Sequence, residues 1–188
     1  MGGIRLKREE AKTLLKEHLN NENLLKHTYA VEAVMREVAI ELDEDSERWA
    51  LAGLLHDIDY DETSDDPSLH SIKGAQMLQE AGLDEELVDA VRAHNDHHGL
   101  PRETLMAKAL YAVDPLTGLI VAAALIHPDK KLDSLDVEFV LNRYDDNSFA
   151  RGARREAIDT CSALGFELEE FVEIALRAMQ DISDTLGL

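Results

Sequence analysis

"LAGLLHDIDYDE", residues 51–62, decides how this chain is read. An apolar helical run from Leu51 to Leu55 stops at His56-Asp57, and four of the next five residues are Asp, Tyr or Glu. A hydrophobic core gains nothing from an imidazole beside a carboxylate, because both lose hydration on burial. A metal ion uses both.

The hydrophobic period is helical throughout. Residues 5–19 predict a short amphipathic helix and 22–42 a longer one, with Leu24, Val31, Val34, Met35, Val38 and Leu42 spaced by three and four. A third helix is expected from Ser46, as N-cap, to Asp57. The polar stretch closed by Pro67 predicts a loop. Helices follow at 68–80, ended near Gly82, and at 84–94. The stretch "HNDHHGLP" is a loop. Helices at 102–113 and 115–126 flank Asp114-Pro115, and the loop "HPDKKLDS" follows them. Three more are expected at 135–143, 148–164 and 167–186. Alternating strand patterns, internal repeats and low-complexity linkers are absent from the sequence. The expectation is an all-α chain, one domain over 1–188 of about nine helices.

Composition narrows the function classes. At 188 residues one sizeable core is affordable. No apolar run is read as long enough to span a membrane. The charged start "MGGIRLKREEAK" does not read as a signal peptide. The single cysteine, Cys161, is expected to pack in a helix, and intrachain disulfides are excluded. A reducing, cytoplasmic location is expected. The net charge of −20 repels polyanions, which argues against general nucleic-acid binding and against anionic lipid surfaces. The same field favours divalent cations, and a small anionic substrate then needs a local positive centre.

Placement makes the histidines informative. His27 lies between Leu24 and Val31 on an apolar stripe. His56 follows Trp49 by seven residues and Gly53 by three, and His94 follows Leu87 and Val91 at the same spacing. His70 is placed in the first turn of its helix, two residues before Ile72. Four helices each aim an imidazole inward, which is unfavourable unless something uses the lone pairs. A transition metal does so. Asp114 reads two ways, as a ligand and as an N-cap with Pro115 at the first helical position. His18 and His127 belong to no constellation.

In order, His27, His56-Asp57, His70, His94 and Asp114, with the contexts "LLKHTYAVEAVMREVA", "LAGLLHDID", "LHSIKGAQML", "AVRAHNDHHG" and "ALYAVDPLTGLI", resemble the HD-domain superfamily of metal-dependent phosphohydrolases. The set looks like the longer H…HD…H…H…D pattern of members that hold two metals. The spacing is like that of bacterial HD-type hydrolases that split diadenosine tetraphosphate symmetrically. The resemblance covers about residues 22–126; the segment 127–188, with its tail "SFARGARREAID", is like that of small bacterial HD proteins of unassigned substrate and reads as a helical extension. It implies an HD-type helical bundle in which His27, His56, Asp57 and Asp114 hold a first metal. Asp57, His70 and His94 would hold a second, with Asp57 bridging.

One departure stands out. Many two-metal relatives place a lysine shortly after the HD pair, where this chain has Ile58, Asp59 and Tyr60. Lys73, Arg92 and Arg102 are the candidate phosphate-binding cations, Lys73 first. His97 and His98 are the candidate general acids, and Asp57 is the central catalytic carboxylate. A donor set of imidazole and carboxylate without thiolate suits one or two divalent transition metals, iron or manganese foremost. The expected activity is hydrolysis of a small phosphorylated substrate, nucleotides included, by metal-activated water. The alternatives are an HD-type di-iron oxygenase and a non-catalytic metal-binding regulatory domain.

Overall fold

A computed structural model describes residues 6–188. The first helix expected at 5–19 begins in part outside them. Among the described residues it is α1, Arg8–His18. Then come α2, Glu22–Glu41; α3, Ser46–Leu55; α4, Tyr60–Thr63; α5, Ile72–Glu80; α6, Glu85–Ala93; and α7, Leu105–Ile126. The remainder is α8, Val137–Tyr144; α9, Arg155–Ile158; α10, Leu168–Gln180; and α11, Ser183–Leu186, with 3-10 turns at Asp96–His98, Leu132–Ser134 and Asp159–Leu164. No strand occurs among the described residues, so the all-α expectation holds.

Short polar side chains set the starts. The Asn21 side chain accepts from the amides of Asn23 and Leu24, Asp84 from Leu87 N and Thr104 from Ala107 N. The third helix is capped by Asp45, which accepts from Arg48 N, rather than by Ser46. Gly82, at φ +81°, follows the end of α5 in the left-handed region that glycine adopts readily.

Three expectations need correction. The helices expected at 102–113 and 115–126 are one helix, with Pro115 inside it. Proline removes one intrahelical hydrogen bond and crowds the preceding turn. Burial of Met106, Leu110, Val113, Leu116, Leu119 and Ile120 holds the helix together across that defect. Asp114 is consequently an interior helical residue and not an N-cap, a role taken by Thr104. Joined, α7 is also long and apolar enough to cross a membrane, contrary to the sequence reading. Its apolarity is accounted for by position: 67 % of that stretch is buried, against α2, α6, α8 and α10.

The helix expected at 148–164 is instead a loop, α9 and a 3-10 turn that contains the buried Cys161. Arg155 explains the loop. Its guanidinium donates to the carbonyls of Arg143, Tyr144, Asp146, Phe149, Ala150 and Ala153, which folds residues 143–153 around one side chain. The stretch closed by Pro67, expected as a loop, is not wholly irregular either, since it contains α4.

α2, α3 and α7 form the centre, and buried residues from α1 to α11 join one hydrophobic cluster around them. α1 is fastened by Arg8, which donates to the buried Glu32 of α2. α2 and α3 touch through backbone at Gly53, where an added Cβ would stand 2.8 Å from Val31 O and 2.9 Å from Glu32 N. Gly53→Ala should therefore push the two helices apart, lowering stability by about 1–3 kcal/mol. Urea unfolding checks this; an unchanged midpoint would show that the contact does not limit the α2–α3 spacing.

Candidate metal centre

Five elements deliver the side chains. His27 comes from α2, His56 and Asp57 from the end of α3, His94 from the end of α6, and Asp114 from the middle of α7. His70 comes from the turn just before α5 rather than from its first helical turn. The structure brings all six together. Successive ring centroids lie 5.2 Å apart for His27–His56, 5.1 Å for His56–His94 and 5.1 Å for His94–His70.

Asp57 sits between the imidazoles and divides its oxygens. Its Oδ2 is 3.5 Å from His56 Nε2 and 3.9 Å from His27 Nε2. Its Oδ1 is 3.4 Å from His70 Nε2 and 3.5 Å from His94 Nε2. Asp114 Oδ1 closes the first half, 3.0 Å from His27 Nε2 and 3.9 Å from His56 Nε2. Two donors that each bind one ion at about 2.1 Å lie no more than about 4.2 Å apart, so every pair fits. Three groupings have donor atoms mutually within 4.8 Å: His27-His56-Asp57, Asp57-His70-His94, and His56-His94-Asp114, which spans both.

The far ring nitrogens show what the near ones are for. His56 Nδ1 donates to Gly53 O at 2.8 Å and His94 Nδ1 to Val91 O at 2.7 Å. His70 Nδ1 is 3.0 Å from Asp59 Oδ1, and His27 Nδ1 faces Thr117 Oγ1 at 3.4 Å. With each Nδ1 directed outward, each Nε2 faces inward, where it can ligate once it carries no proton. His56 Nε2 is fully buried and has no hydrogen-bond partner. A bare imidazole lone pair facing a carboxylate oxygen at 3.5 Å is repulsive unless a cation stands between them. These donors fit divalent metal, as the sequence reading expected of the set.

The protonation states agree. Burial lowers the His56 pKa, although the carboxylates of Asp57 and Asp114 work against it. Burial would raise that of Asp57, but His56, His70 and His94 outweigh it and hold the carboxyl well below its ordinary range. Asp114 is lowered too, its burial overcome by His27. For His70 burial opposes the charge, yet hydrogen bonds to Asp57 and Asp59 push its pKa up to about 10.

Asp59 is the residue that sequence reasoning missed. It is fully buried, and its Oδ2 accepts from Ser71 N and Gly74 N, both at 2.8 Å. It thus caps α5 from outside while orienting His70. An added Cβ at Gly74 would come within 3.2 Å of the Asp59 carboxyl, which explains that glycine. Ser71, at φ +70°, is held by the Asp59 contact and by its own Oγ–H donating to Arg92 O at 3.0 Å. The available signal was an acid two residues beyond the HD pair, next to the apolar Ile58.

The other candidates lie elsewhere. Lys73 Nζ pairs with Glu62, which also contacts His18. Arg92 pairs with Asp89 and lines a separate cavity with Gln79 and Leu83. Arg102 donates to Ala93 O and Asp96 and stacks on Tyr111, 3.4 Å from the ring centroid. His98 Nε2–H donates to His70 O at 2.8 Å, and His97 is exposed beside it. Side-chain exposure rises from none at His56 to 29 % at Asp114, so the centre opens on its His27–Asp114 side. There a cavity of 300 Å³ is walled by Pro115, Gly118 and the loop residues Ala150, Gly152 and Ala153.

Two outcomes test this geometry. In the metal-free protein His70 keeps its proton up to pH near 10, whereas ligation through Nε2 expels it. Metal binding at pH 7.5 should release at least one proton, and affinity should weaken as pH falls. Calorimetry in buffers of different ionisation enthalpy reads this; proton-neutral binding would exclude His70 as a ligand. Asp59→Asn keeps an acceptor for the α5 amides but removes the charge behind His70. It should weaken metal binding by about 10–100-fold, and a metal titration with unchanged affinity would remove the orienting role.

Comparison with known proteins agrees with the geometry. Residues 24–124 match the family model described as HD domain. Among curated proteins, Ribonuclease Y of Lawsonia intracellularis is 35 % identical over 104 residues, 55 % of this chain and 20 % of that protein. Ribonuclease Y of Oleidesulfovibrio alaskensis is 32 % identical over 98 residues, 52 % of this chain and 18 % of that protein. The matched segment is thus about a fifth of those relatives' length. With a family model covering more than half of its residues and all six metal-site side chains, the chain belongs to the HD-domain family.

Proposed function

We propose that this chain is a metal-dependent phosphohydrolase acting on a small phosphoester. One observation carries the reading: the two oxygens of a single buried carboxylate, Asp57, face two different imidazole pairs. That is the arrangement needed to share one carboxylate between two adjacent ions. His27, His56, Asp57 and Asp114 would hold one, and Asp57, His70 and His94 the other. The mixed nitrogen and oxygen donors suit iron or manganese.

When bound, such a pair supplies Lewis-acid charge and acidifies a coordinated water. The chain's own residues do the rest. The committed Nδ1 hydrogens fix four rings so that no reorientation is needed on binding. Burial of His56, His94 and Asp57 keeps bulk water from the inner side, leaving access through the cavity beside Asp114. The substrate phosphate meets cations at the rim of that opening. Lys26, next to His27, and Arg151, between Ala150 and Gly152, are exposed and form no ion pair among the described residues. They take the place sought for Lys73, Arg92 and Arg102. The net charge of −20 opposes a long polyanion, and the likeness to Ribonuclease Y spans only a fifth of that protein, so the substrate proposed here is small.

Elemental analysis of protein purified without chelator or histidine tag should find one or two equivalents of divalent metal. A phosphoester screen should then show turnover independent of dioxygen. Asp57→Ala should lose metal and turnover together, by about 10²-fold or more in rate. Retained metal with full turnover would sink the assignment; dioxygen-dependent product would replace hydrolysis with oxygenation.

A further inference from the structure

A second cavity adjoins the first. Its volume is 460 Å³, and His27 and Gly118 line both. The second cavity is otherwise walled by Asn23, Lys26, Val121, Leu125, Leu186 and Leu188, with Gly187 between the last two. Leu125 is 52 % exposed, a large apolar side chain left in water at the wall of a concave site.

Gly118 stands four residues after Asp114 on α7, so it shares that face of the helix. Glycine inside a helix is unfavourable relative to alanine. Local structure does not call for it. Gly118 is not at positive φ, and an added Cβ would meet nothing within 4 Å. Gly53 and Gly74 have backbone or a carboxylate pressed against them; Gly118 has open space. Any side chain there would project into the junction of the two cavities.

We infer that Gly118 determines substrate size, by keeping open a passage from the metal centre to an apolar cavity that receives a ring-sized organic group of the phosphoester. This rests on the phosphohydrolase reading. The phosphoryl group lies at His27 and Asp114, and the ester's organic portion passes over Gly118 onto Val121, Leu125 and Leu186. Asn23 offers one amide to a polar ring edge, and Lys26 lines the second cavity beside His27.

The test compares 1-naphthyl phosphate with inorganic phosphate on metal-loaded protein, by calorimetric binding and by competition. Wild type should prefer the naphthyl ester by about tenfold or more, the scale of discrimination an apolar pocket supplies. Gly118→Leu should erase that preference, and Leu125→Ser, two turns further along α7, should reduce it. Gly118→Ala should raise the melting temperature by about 2–4 °C through helix propensity. A melting temperature of Gly118→Leu no lower than that of wild type then shows that its loss is blockage rather than unfolding. Equal affinities in wild type, or a preference that survives Gly118→Leu, would overturn the inference and leave the phosphohydrolase reading standing. Fully metallated wild type that binds neither ligand and turns over no phosphoester would overturn that reading, and this inference with it.

Discussion

A carboxylate buried among four imidazoles is the constraint from which the rest of this structure follows. Asp57 has given up its water, and an isolated ion in that position would be far too costly. It is tolerated because positive charge surrounds it: the His70 imidazolium in the metal-free protein, divalent metal in the loaded one. Burial disfavours the charged form of His56. Its unpartnered Nε2 is left in a place where only an electrophile satisfies it. A metal held by the same side chains would compete with protons for them.

Backbone details serve this arrangement. Gly53 brings α3 against α2, setting His56 and His27 5.2 Å apart between ring centroids. Asp59 ties the end of the α3 segment to the start of α5, so His70 and Asp57 are placed by one hydrogen-bonded unit. α7 runs unbroken through Pro115, which carries Asp114 to the mouth of the centre on a rigid rod and sets Gly118 one turn beyond. Thr117 Oγ–H donates to Asp114 O at 2.9 Å within the same turn and faces His27. The loop gathered by Arg155 supplies the opposite wall. Helix packing, capping and the metal donors are therefore not separable layers.

The charge distribution has the same logic. An overall charge of −20 raises the local concentration of divalent cations and repels extended polyanions. Lys73, Arg92 and Arg102 are already engaged with acidic neighbours, whereas Lys26 and Arg151 form no ion pair among the described residues.

By itself the sequence determined the helical class, most helix positions and the six histidine and aspartate side chains that the fold brings together. These are properties of local periodicity and of side-chain chemistry: inward imidazoles on apolar stripes are visible one helix at a time. It could not show that α7 is continuous, because proline's local cost argues for a break and only burial on several sides outweighs it. Nor could it show the loop at 143–153, which depends on one arginine reaching six carbonyls, or Asp59, whose role exists only once α5 lies across it. The tertiary structure alone decided which cations are tied up in ion pairs and that two cavities share Gly118. Both depend on where side chains point after packing, and residues distant in sequence settle that jointly.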